Sequence, residues 1–170
     1  LNNREKYEIA FRMTTRAFTG LSFIEDYLMS NPVTDSAFLR SLYILLTYNA
    51  ELILKSRVVM IGGFIDKNEI DKKLKSLSYD MIKIGKTLGN SELTKLGIKK
   101  ITKNNNQYKI TTVDKKEAII EDFVDIRYDF IDGRVRIVDN KEHARIKVYA
   151  ETLFSILEHA KDENLRERVL

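Results

Sequence analysis

The 170-residue chain contains no cysteine, one proline and two histidines, His143 and His159. The absence of cysteine excludes a disulfide framework, a thiolate metal site and a cysteine nucleophile. Two histidines leave little from which to build a zinc site, and no cofactor or metal is expected. Long apolar runs are missing too. The most hydrophobic stretch, Ala37 to Ile61, is interrupted by Arg40, Glu51, Lys55 and Arg57, and its longest pure apolar run is Leu42 to Leu46. Such a segment is a poor membrane span. The N-terminus lacks the apolar core of a signal peptide, so a cytoplasmic protein without a membrane partner is expected.

What is present is a mixture suited to a packed core. Hydrophobic residues make up 44% and charged residues 32% of the chain, a balance typical of globular proteins and not of disordered ones. The length suits one domain spanning 1–170. Net charge is +4, unevenly spread. Residues 1–65 carry 7 basic and 6 acidic groups, residues 66–112 carry 11 and 5, and residues 113–170 carry 11 and 14. The basic middle has two readings: a surface that attracts polyanions, or, the favoured one, a lysine-rich solvated face on two exposed helices.

Periodicity predicts helices through most of the chain. Tyr7, Phe11, Phe18, Leu21 and Leu28 form an apolar stripe on a first helix over about 4–29, closed by Asn31-Pro32. The segment from Ala37 to Ile61 is apolar on nearly every face. It reads as a central helix, with Glu51 and Lys55 paired at i,i+4 and Gly62-Gly63 closing it. Asp66 and Glu69 open a third helix whose core side is Leu74, Leu77, Met81, Ile84 and Leu88, stopped by Gly89. Ser91 caps a short fourth helix to about Lys103.

Alternation around Tyr108, Ile110 and Thr112 then predicts a hairpin over about 107–121, followed by a short helix from Glu121 to Phe130. Asp132-Gly133 is a turn, and Asp139 with Glu142 opens a last helix to about Lys161, carrying Ile146, Ala150, Leu153, Leu157 and Ala160. The expected fold class is all-α: an up-and-down bundle of four to five helices with a small β-hairpin insertion.

The residues also carry bland readings. His143 faces Lys147 across one helical turn, and His159 sits among charged neighbours on an exposed face. The carboxylates Glu121, Asp122, Asp125 and Asp129 read as a solvated helical face, not a metal site. Phe11, Phe18, Tyr43 and Tyr48 recur at helical spacing and are expected in the core.

The order of elements and three short segments resemble the HEPN superfamily (higher eukaryotes and prokaryotes nucleotide-binding domains). Ala50-Glu51-Leu52-Ile53-Leu54-Lys55 resembles its second-helix signature. Ser78-Tyr79-Asp80-Met81-Ile82-Lys83 resembles a following His-Asp-Leu segment, with tyrosine in place of histidine, and Ile126-Arg127-Tyr128 resembles the Arg-Tyr element before the last helix. The resemblance implies a helical bundle that dimerises. It also implies, in active members, metal-independent ribonuclease chemistry by an arginine and a histidine near the start of the last helix. The arginine would stabilise phosphate charge, and the histidine would move the proton of the RNA's own 2′-hydroxyl.

Arg136 and His143 match that pair with six intervening residues, and Ile137 replaces the polar residue that often follows the arginine. Three readings therefore stand. One is a catalytically degenerate homodimeric module that binds RNA, a nucleotide or a protein partner through Arg127 and Tyr128. A second is a toxin-like endoribonuclease using Arg136 and His143. The third is a helical scaffold. Family context would supply a nucleotidyltransferase-type antitoxin as the partner.

Overall fold

A computed structural model describes residues 1–31, 36–122 and 140–170. Asn2 starts the first helix, α1 (Asn3–Ser30), with a capping box: its side chain accepts from the Glu5 N–H, and the Glu5 carboxylate accepts from the Asn2 N–H. Helix α2 follows as Ser36–Ile61. Asp66 caps α3 (Lys67–Leu77) by accepting from the Glu69 N–H, as its sequence position predicts. Next come α4 (Met81–Lys95) and three strands, β1 (Ile98–Asn104), β2 (Gln107–Thr112) and β3 (Glu117–Glu121). The last helix, α5, spans Asn140–Val169.

Three long helices form the centre. Lys6 Nζ donates to the Gly62 carbonyl at 3.0 Å, while Tyr27 stacks on Phe38 with ring centroids 4.0 Å apart. The two ends of α1 thus meet opposite ends of α2, so these helices run antiparallel. Helix α5 is antiparallel to α1 as well: Phe18 meets Phe154 edge-on at 5.9 Å, and Arg168 lies over the Tyr7 ring. In α2, every residue from Lys55 to Met60 is buried, as an all-round apolar helix requires. The predicted stripe of α5, Ile146, Ala150, Leu153, Leu157 and Ala160, is wholly in the core.

The sheet is antiparallel in the order β1-β2-β3, so β1 is an edge strand. Its inner face presents Ile101, Ile110 and Ala118 in one row. Helix α4 lies against β1 closely enough that a Cβ on Gly85 would meet the Ile101 side chain at 3.2 Å. Thr47 on α2 donates to the Glu121 carbonyl at 3.0 Å, tying the end of β3 to the bundle.

The expected hairpin at 107–121 is present, but the protein is not strictly all-α. Residues 98–103, expected to continue a helix, lie in β1 (Ile98–Asn104), which completes a three-stranded sheet. Gly97, with φ 72°, follows the end of α4 and lets the chain turn into the strand. The expected third helix is two helices. Ser78 has φ 51°, and Asp80 restarts the helix by accepting from the Lys83 N–H. Gly89, with φ 81° and ψ 163°, is non-helical, so α4 is two helices joined across a kink and the expected stop lies at this residue. The stripe of α1 is also shifted: Ala10, Thr14, Ala17, Leu21, Ile24 and Leu28 are buried. Phe11, Phe18 and Tyr48 are roughly half exposed, and of the four aromatics assigned to the core only Tyr43 is buried.

Candidate functional site

The four sequence-predicted site residues divide unevenly. Arg127, Tyr128 and Arg136 lie outside the described residues, as do the predicted turn at 132–133, the predicted cap Asp139, and Asp125 and Asp129. His143 is described. It sits half-buried in the first turn of α5, where its Nε2 lies 3.0 Å from the Asn31 carbonyl. That contact ties the start of α5 to the end of α1. His159 is exposed, as expected, with Nδ1 2.7 Å from the Ser155 carbonyl one turn earlier. Glu121, expected to open a helix, instead ends β3. It is buried and accepts from Gln107 Nε2, while Asp122 pairs with Lys103 at 2.8 Å. No cluster of metal-ligating side chains occurs among the described residues.

Two polar assemblies are buried between the helices. The first is the expected Glu51–Lys55 pair, both members within the core and joined by a short hydrogen bond. Burial pushes the Glu51 carboxyl above its ordinary range, more than the Lys55 contact pulls it down, and Glu51 Oε2 has no hydrogen-bond partner among the described residues. The second was not legible in the sequence. Arg57 is completely buried; its guanidinium donates to Asn164 Oδ1 at 3.0 Å and to Glu92 Oε2 at 2.7 Å, with Glu167 at 3.7 Å. Asn164 in turn donates to Ser56 at 3.2 Å. Burial opposes charge on Glu92, yet the hydrogen bonds from Arg57 and Lys95 outweigh it and hold this carboxyl below its usual range. These groups join α2, α4 and α5 and are spent on one another.

The lysine-rich segment behaves differently. All 11 basic residues of 66–112 are lysines. Lys75, Lys95, Lys103 and Lys109 have carboxylate partners. Lys67, Lys72, Lys86, Lys99 and Lys100 are exposed, and among the described residues none of the five has one. Lys86 follows Gly85, the residue packed on Ile101 of the strand that also carries Lys99 and Lys100. Lysines on a free edge strand also oppose unwanted strand pairing. Flexible ammonium groups of this kind suit attraction to a string of phosphates more than recognition of one fixed anion.

No protein-family model, curated protein or solved structure matches the chain. No helix among the described residues is long and apolar enough to cross a membrane.

Proposed function

We propose that this chain is a catalytically degenerate HEPN-like module that binds RNA through the exposed lysines of α3, α4 and β1. The observation that carries the proposal is the exposed set Lys67, Lys72, Lys86, Lys99 and Lys100, none with a carboxylate partner among the described residues. Uncompensated cations release bound counterions when they meet phosphates, giving sequence-tolerant and salt-sensitive affinity. One nitrogen of His143 is engaged by the Asn31 carbonyl, which gives the ring a structural task.

Fluorescence anisotropy with an unstructured labelled RNA tests the proposal. The affinity should fall steeply as salt is raised, and absence of binding at low salt would remove the proposal. The same RNA incubated in EDTA separates the two enzymatic outcomes. Metal-free cleavage by the parent, lost in His143→Ala, would replace degenerate binding with the ribonuclease reading.

A further inference from the structure

Three aromatic side chains of α1 lie along α5, and two of them already hold a cation. Lys161 Nζ is 5.7 Å from the centre of the Phe18 ring, and the Arg168 guanidinium is 5.0 Å from that of Tyr7. Phe11 stands between these two along the helix. It is 51% exposed, and among the described residues no cation lies over its ring. The Tyr7 and Phe11 rings are 5.9 Å apart and tilted by 33°, so they form one angled aromatic surface.

That surface is a wall of a shallow hollow of about 160 Å³ between α1 and α5, with Leu165 as a further apolar side. Its floor is fixed. The Thr14 hydroxyl donates to the Ala10 carbonyl at 3.2 Å, and Asn164 is held between Arg57 and Ser56. Three charged side chains complete the lining. Lys161 is paired with Glu158 at 3.2 Å, so these two offset each other. Asp162 is exposed and has no ion-pair partner among the described residues. The hollow thus joins an open aromatic ring to one uncompensated carboxylate.

We propose that this hollow binds a primary alkylammonium group, with its carbon stem against Phe11 and Leu165 and its nitrogen beside Asp162. The face of an aromatic ring is negative and attracts cations, and a neighbouring carboxylate adds a counter-ion for the same charge. A phosphate or carboxylate ligand would instead meet Asp162 with like charge. An ammonium on a flexible stem is a compact charge that can lay its methylenes on apolar walls while its head stays polar. The chemistry is shared by a lysine side chain of a partner peptide and a small free diamine. The inference is independent of RNA binding, since none of the five lysines assigned to RNA lines the hollow.

NMR titration of the full chain with n-butylammonium, following the Phe11 ring and Leu165 methyl signals, provides the test. These signals should shift and saturate, whereas n-butanol, which lacks the charge, and ammonium, which lacks the stem, should each bind at least about threefold more weakly. Asp162→Asn should weaken n-butylammonium binding by about threefold, and added salt should weaken it in the parent. Phe11→Leu keeps an apolar wall but removes the ring, and should weaken n-butylammonium by about twofold or more while leaving n-butanol unaffected. Both positions are exposed, so circular dichroism should be unchanged. Nα-acetyl-lysine amide and 1,4-diaminobutane then separate the two sources, the tighter ligand marking a peptide side chain or a free amine. The absence of saturable shifts overturns the proposal. So does equal binding of n-butanol, or an Asp162→Asn variant that binds as the parent does.

Discussion

Arg57 and the lysines of α3, α4 and β1 carry the same charge and do opposite things with it. Arg57 has no exposed surface and binds Asn164 and Glu92. Lys67, Lys72, Lys86, Lys99 and Lys100 are solvated and have no carboxylate partner among the described residues. A buried guanidinium must have its bonds met inside the protein, because taking a charge out of water costs several kcal/mol. An exposed ammonium is already satisfied by water and keeps its charge available for a partner. Burial with internal partners marks a cation that belongs to the fold; solvation without a carboxylate marks one that belongs to the surface.

Removing the buried cation should have the largest effect. Arg57→Leu would leave Glu92 and Asn164 without their shared donor, and urea unfolding should show a loss of about 3–5 kcal/mol. A loss below about 1 kcal/mol would mean the network is not coupled to the fold. Exposed lysines should behave in the reverse way. Lys86→Glu/Lys99→Glu/Lys100→Glu should leave stability within about 0.5 kcal/mol per site. It should, however, reduce the slope of log affinity for single-stranded RNA against log salt by about 2. An unchanged slope would place any RNA elsewhere.

His143→Ala lies between these extremes. Losing its contact with Asn31 should cost about 1 kcal/mol in urea unfolding, with RNA affinity unchanged. An affinity loss without a stability loss would give His143 a role toward ligand.

Glu51 and Glu92 sharpen the comparison through pH. Glu51 has its pKa raised by burial, so the folded state holds this proton more tightly than the unfolded one. Its contribution is fully present below the ordinary carboxyl value of 4.5 and is lost as pH rises through the folded value. Glu92 is shifted downward despite burial, so its contribution is present above the ordinary value and is lost as pH falls through the lowered one. Stability curves of Glu51→Gln should therefore gain on the parent as pH rises above 4.5. Parallel curves would show that Glu51 titrates alike in both states.

Much of the helical frame was legible because caps and periodicity agree there: Asp66 caps α3, and Asn31 follows the end of α1. β1 was hidden by its own irregularity. The bulge between Ile98 and Lys100 breaks strand alternation, and the Ile98/Ile101 spacing then resembles a helical step. Gly97 was the overlooked signal. The break at Ser78 was masked because Leu77, Met81, Ile84 and Leu88 keep helical spacing across it. Charge identity was readable, but charge partners were not. Nothing local in the sequence joins Arg57 to Asn164, 107 residues away. The Glu51–Lys55 pair was readable because one helical turn brings its members together.

Salt-dependent RNA binding by the parent and the Lys86→Glu/Lys99→Glu/Lys100→Glu variant decides whether these lysines form an RNA surface. The parent should bind tightly at low salt and decline steeply as salt is added, and the variant should respond more weakly and with a flatter slope. Equal affinity and equal slope for the two proteins would contradict an RNA surface there.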